Sequence, residues 1–408
     1  MAWRWLPRAW SAGAALVATA VFSVPAGAAP SASVWTVTPT PSPDPTGVND
    51  TTLGAVSATS ESDAWAVGIN QDTKALRRPL VEHWDGHTWT LVSAVQVPSG
   101  RQSWFNGVEA LSSTNAWAVG ESTSVSATNQ QERTLIEHWD GHGWTIFPSP
   151  NPSTGPNAAD VLEAITGVGP SDLWAVGWNL DPITNQILMM FLHYDGTNWK
   201  AVASPSRGAQ FAVAAVAISS DDVWAVGNDQ GGAQGLTLAA HWNGTKWSLV
   251  PTPSLFDGVA PQNSLTGVSA ASSTDVWASG YEDNVDQKNF AKPYALHWNG
   301  TKWALALLPN AGGEGNRLFG TVALSPNDVW AVGQTQRLNG AILTLTQQFN
   351  GTSWQTVPSP TPGRLGGLPD GSLRGVGSAG GGVLFTDGAQ EVPGQCCLRT
   401  LALQTSQG

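Results

Sequence analysis

The stretch from Asp275 to Trp303 reads DVWASG, a loop, then LHWNGTKW. It returns, altered but legible, about once every ~50 residues, so one supersecondary unit is repeated and must bury its apolar faces against its neighbours. Each unit opens with an apolar strand such as Leu53 to Val56 and reaches an aromatic after a tight turn. Those aromatics are Trp65, Trp117, Trp174, Trp224, Trp277, Trp330 and, in degenerate form, Phe385. In six units Asp or Asn stands two positions earlier (Asp63, Asn115, Asp172, Asp222, Asp275, Asp328), where its side chain is expected to cap the turn. The second strand, WAVG, is expected to end in glycine at 68, 120, 177, 227, 280, 333 and 388.

A third strand ends in an aromatic and a fourth opens with Trp five residues on: Trp84/Trp89, Trp139/Trp144, Tyr194/Trp199, Trp242/Trp247, Trp298/Trp303 and Phe349/Trp354. Asp-Gly or Asn-Gly lies between them, a hairpin signal that puts both aromatics on one sheet face. The seventh unit stops after RTLALQTS, residues 399 to 406, without a fourth strand. SVWTVTP, beginning at Ser33, is a fourth strand with nothing before it. Joining the two ends gives the fold class: all-β, a seven-bladed β-propeller of four-stranded antiparallel blades, its last blade closed by the N-terminal strand. Repeats fall near 53–92, 105–147, 162–202, 211–250, 265–306, 318–357, and 373–406 with 33–38.

Residues 1–28 have the form of a signal peptide: Arg4 and Arg8, an apolar run from Ala14 to Val24, and Ala26-Gly27-Ala28 as cleavage site. The mature chain, a single domain from 29 to 408, is expected to be secreted, monomeric and without a membrane span. Losing Arg4 and Arg8 moves the net charge from −12 to −14, which disfavours nucleic acid and anionic lipid as partners. Long charged helices are disfavoured, since only 12% of residues are charged.

The strand ending in Gly, the loop, the aromatic and the following Trp resemble the repeats of kelch and galactose-oxidase-like propellers, with one Gly where kelch has two. The Asp/Asn-Gly-x-x-Trp turn resembles the Asp-box of sialidase-like and photosystem-assembly-factor-like propellers, without its leading Ser. Trp84-Asp85 and Trp139-Asp140 are similar to WD repeats at a longer period. Secreted actinobacterial and myxobacterial proteins carry very similar WAVG…HWDGTxW repeats. The resemblance implies a fold and leaves function open. Copper-radical chemistry would need tyrosines and histidines beyond the three Tyr and the repeat His present here. Sialidase chemistry would need three convergent Arg, and no motif selects Arg101, Arg133 and Arg317.

Five histidines recur at one blade position (His83, His138, His193, His241, His297), with Gln348 and Gln404 in the other two blades. Ligands spread around a ring cannot converge on a metal, so a hydrogen bond to backbone or a neighbouring blade is expected. Glu282, Asn284 and Asp286 alternate as oxygen ligands for Ca²⁺ would, without the Gly and distal Glu of a complete loop. No other cofactor is indicated. Cys396 and Cys397 are adjacent and can close a vicinal disulfide or remain two thiols.

Loop lengths point to function. Turns between first and second strands, and between third and fourth, hardly change. Loops within blades (such as 69–80 and 281–293) and connections between blades (such as 93–104 and 251–264) vary freely and emerge on one face. Trp104, Trp178, Phe256, Tyr281, Phe290 and Tyr294 lie in or beside them as ligand-face aromatics. The expected function is non-catalytic recognition of a protein or carbohydrate; the alternatives are a hydrolase or lyase with carboxylates at the channel mouth, or a structural envelope component.

Overall fold

A computed structural model describes residues 35–43, 49–126, 130–181, 185–232, 234–255, 262–283, 291–312, 315–365, 368–391 and 397–405. Residues 1–28, expected from the sequence to be a signal peptide, lie outside them. Seven four-stranded antiparallel sheets form the ring. Blades 1 to 6 run in simple strand order, as in blade 1: Thr51–Ser60, Asp63–Gln71, Arg77–Trp84 and Trp89–Leu91. In blade 7, Trp35–Thr38 pairs with Leu398–Thr405 outside Leu384–Glu391 and Gly371–Ser378. The N-terminal strand therefore closes the ring.

Aromatic pairing holds neighbouring blades together. The second-strand aromatic of each blade meets the fourth-strand Trp of the next, edge to face. Trp65–Trp144, Trp117–Trp199, Trp174–Trp247 and Trp224–Trp303 have centroid separations of 5.2, 5.8, 5.2 and 5.2 Å. Trp277–Trp354, Trp330–Trp35 and Phe385–Trp89 complete the circuit at 5.5, 5.7 and 6.2 Å. The seven fourth-strand indole N–H groups are buried without a hydrogen bond. Edge-to-face contact lays the positive ring edge on a negative π face, which offsets part of that loss.

The recurring Asp does something other than cap a turn. Asp63, Asp172 and Asp222 each bond the third-strand histidine of their own blade (His83, His193, His241) at 2.7, 2.8 and 2.8 Å. Asn115 does the same for His138 at 3.0 Å, and Asp328 for Gln348 at 2.8 Å. His297 stands 3.4 Å from Asp275, whose carboxylate takes the Trp277 N–H instead. Each imidazole then lies on the Trp of its own second strand, with centroids 4.2 to 4.5 Å apart. The expected bond to backbone or a neighbouring blade is thus an in-blade bond to a side chain. Val383 replaces the Asp in blade 7, and there Gln404 has no such partner to meet.

The WAVG glycines do not end their strands; Asp63–Gln71 runs three residues past Gly68. Every first strand carries a bulge opposite this glycine, shifting register between Leu53 and Ala55, Phe105 and Gly107, and so on around the ring. A Cβ on Gly68 would sit 2.1 Å from the Thr52 carbonyl, so the bulge admits only glycine there.

The seam between blades 7 and 1 buries two acids. Both Glu82 carboxyl oxygens are buried without a partner, and burial, then the nearby Asp387, push its pKa up to about 9. Asp387 accepts the Gly375 N–H at 2.7 Å, and burial pushes it up to about 7. A raised folded pKa means that stability is fully present below the ordinary value near 4.5 and is lost as pH rises through the folded value. The melting temperature is expected to fall from pH 5 toward pH 9, with Glu82→Gln flattening that limb and raising the value at pH 9; calorimetry across this range showing an unchanged slope would contradict it. Asp172→Ala should cost about 1–3 kcal/mol. Asp172→Asn should cost well under half as much, because blade 2 uses Asn115 in the same bond; chemical denaturation measures both.

Candidate functional site

First strands line the central channel, a cavity of about 430 Å³. The bulge residues of the seven blades are Gly54, Asn106, Glu163, Val213, Thr266, Phe319 and Arg374, and all of them line it. Backbone geometry is the same at each position, yet no side chain occurs twice. The position that follows it is always small: Ala55, Gly107, Ala164, Ala214, Gly267, Gly320 and Gly375. Two of the seven tie neighbouring blades together: Asn106 Nδ2 donates to Leu162 O at 2.9 Å, and Thr266 Oγ1 to Leu318 O at 2.6 Å. Glu163, Phe319 and Arg374 carry no such duty. In the sequence this ring is marked only by a short frame, an apolar residue, one changing residue, then Gly or Ala, as in Leu162-Glu163-Ala164, Phe105-Asn106-Gly107 and Leu373-Arg374-Gly375.

Charge is divided across the mouth. On the side of blades 2 and 3, Glu121 is 7% exposed, its side chain has no hydrogen bond among the described residues, and it is pushed up to about 8 by burial and by Glu132 and Glu163. Burial also raises Glu163, partly opposed by the Trp178 Nε1–H donated to its carboxylate at 3.0 Å. The Arg77 guanidinium sits 4.6 Å from the Trp104 ring centre and draws the Glu121 pKa back. On the side of blades 5 to 7, Arg374 lies 4.5 Å over the face of Phe319, whose ring is 5.9 Å from Tyr281. Arg317 lies over Tyr281 at 5.5 Å and pairs with Asp283 at 2.8 Å.

The expected ligand-face aromatics divide accordingly. Trp178 and Tyr281 stand beside Glu163 and Phe319 of the bulge ring and belong to the site. Trp104 is buried, with Arg77 over its ring. Tyr294 is a correction: it pairs with Gly280 in mid-strand and its side chain is fully buried, so it belongs to the core. Phe256 and Phe290 lie outside the described residues. So do Asn284 and Asp286 of the Ca²⁺ triplet, while Glu282 is 1% exposed within a strand, which removes it from a loop site. Among the described residues no three His, Cys, Asp or Glu side chains converge. Arg101 and Arg133 are held by backbone carbonyls, Gln131 O at 3.0 Å and Ser153 O at 3.1 Å, while Arg317 pairs with Asp283. Cys397 is disulfide-bonded, and Cys396, the other cysteine of the chain, lies outside the described residues.

No known protein family matches the chain, and no curated protein does. Among solved structures it is similar to an ulvan lyase of polysaccharide lyase family PL25, bound to -[GlcA(1-4)Rha3S]-, at 8% identity and TM-score 0.52, over 87% of this chain and 94% of that one. YCF48 bound to D1 peptide matches at 15% identity and TM-score 0.49, covering 93% and 98%. An α-L-arabinanase from Penicillium chrysogenum, complexed with arabinobiose, matches at 12% identity and TM-score 0.46, covering 92% and 98%. At such identities the likeness is one of fold, and the chain is a seven-bladed β-propeller.

Trp178→Phe removes a hydrogen bond that favours the charged form of Glu163, so the Glu163 pKa should rise further. Titration followed by carboxyl ¹³C NMR measures it; an unchanged or lower value would contradict the assigned bond.

Proposed function

We propose that the protein is an exported, non-catalytic recognition propeller that binds a carbohydrate or a protein segment at the channel mouth. One observation carries the reading: the bulge ring presents seven different side chains at one register position, Gly54 through Arg374, and all seven line the channel. Packing alone asks for the same residue seven times. A ring that differs at each position suits a ligand without sevenfold symmetry. Trp178, Phe319 and Tyr281 offer flat apolar faces beside polar groups, the pairing that both sugar rings and peptide side chains use. The kelch-like repeat and the signal-like first 28 residues fit a secreted protein.

Glu121 supports a second reading. A carboxyl held protonated near neutral pH beside Glu163 is the pairing of proton donor and acceptor that a hydrolase or lyase uses. Screening the protein against glycan and peptide panels, with recovery and mass analysis of each bound ligand, separates the two. The recognition reading expects bound ligand returned intact, and a Glu163→Gln variant with changed affinity. Products that disappear in Glu121→Gln and Glu163→Gln would replace it with the enzyme reading.

A further inference from the structure

Six of the seven bulge residues are apolar, lack a side chain or already make a side-chain hydrogen bond within the protein. Gly54, Val213 and Phe319 offer no hydrogen-bonding group; Asn106 and Thr266 bond neighbouring strands; Glu163 accepts the Trp178 N–H. Arg374 differs. Its side chain is exposed to the channel, and among the described residues no hydrogen bond or ion pair holds its guanidinium. Its contacts are the Phe319 face beneath it and a longer-range attraction to Tyr281 and Asp387. Asp387 is fully buried, with one carboxylate oxygen on the Gly375 N–H and the other without a hydrogen bond to a described residue, and it forms no ion pair with Arg374. Arg374 also lines an adjoining cavity of about 480 Å³ with Asp370 and Glu391, and neither carboxylate is ion-paired to it. Five N–H donors thus face a concave space, and no hydrogen bond or ion pair to a described residue engages them.

We propose that Arg374 seats the carboxylate of a small ligand, or of the tip of a larger one, in the central channel, with Phe319 fixing the plane of the guanidinium. This rests on the recognition reading and names the group recognised. A planar guanidinium fork matches a carboxylate through two parallel hydrogen bonds, and stacking on an aromatic ring pre-sets its orientation. The partial loss of water around Arg374 strengthens such a pair. A single negative charge suits the channel better than a phosphate dianion, because Glu163 lines it, Glu121 and Glu132 are electrostatically coupled to Glu163, and the chain is acidic at −12. On the side of blades 2 and 3, Glu163 and Glu121 accept or donate hydrogen bonds to the ligand's hydroxyl or amide groups. The carboxylate can come from an acidic sugar or from a peptide C-terminus.

The test uses the ¹⁵N-labelled full chain and two acid probes, D-galacturonate and N-acetyl-alanyl-alanine, each against its uncharged partner, methyl galactoside and the peptide amide. The Arg374 Nε–H resonance, assigned by its loss in Arg374→Met, should shift saturably with at least one acid, with a dissociation constant on the order of millimolar. The uncharged partner should bind at least about tenfold more weakly, equivalent to ~1.4 kcal/mol. Arg374→Met should remove that preference; Arg374→Lys, which keeps the charge without the fork, should retain part of it. Which acid binds identifies the source of the carboxylate. Equal binding of acid and uncharged partner would overturn the carboxylate assignment and leave the recognition reading standing. No response at Arg374 to either acid, with uncharged ligands still binding at the mouth, would overturn it as well. Panel-wide absence of binding would remove the recognition reading itself.

Discussion

The ring depends on an edge-to-face contact made seven times. Each second-strand aromatic reaches across to the first Trp of the next blade's outer strand, and the circuit closes only because Trp35 arrives from the N-terminus to meet Trp330. Such a pair is worth about 0.5–1.5 kcal/mol beyond the area it buries, and each Trp buries a large apolar surface besides. The in-blade bond from Asp or Asn to His or Gln serves this contact. It positions an imidazole over one face of the Trp, tilted by 35° in blade 1, leaving the remaining surface to the neighbouring blade. Sequence, local hydrogen bonding and interblade packing are links of one chain here.

Because the ring is stabilised at mid-sheet and outward, its inner wall is relieved of most packing duty. A bulge in each first strand, made possible by the glycine across from it, aims one residue into the channel. Evenly spaced backbone with uneven side chains gives an acidic arc at Glu121, Glu132 and Glu163 and a cationic, aromatic arc at Phe319, Arg374, Tyr281 and Arg317. The buried acids at Glu82 and Asp387 lie at the seam between blades 7 and 1, so proton uptake and the packing of that seam are linked.

Much of the fold could be read in advance. Aromatics five residues apart around Asp-Gly or Asn-Gly imply a shared face, and Trp84 and Trp89 do stand directly opposite each other. The split blade followed from one orphan strand and one missing strand. Other features were beyond a one-dimensional reading. His83 and Asp63 are 20 residues apart, and nothing local says that they touch. A bulge has no signature unless the residue opposite is known, so Gly68 read as a strand end. Tyr294 lies next to a variable loop in sequence, but its register opposite Gly280 turns it into the core. Loop lengths single out one face of the ring, whereas the bulge position, which changes in every blade, leaves no repeating signal in the sequence.

The central claim is that scaffold and recognition are carried by separate residues. It is tested most directly by one triple variant, Glu163→Ala, Phe319→Ala and Arg374→Ala, examined by thermal melting alongside ligand binding. The account predicts a cooperative melt within a few degrees of the wild-type protein and loss of binding to every ligand the wild type retains. Collapse of the melt, or binding that survives all three substitutions, would contradict it.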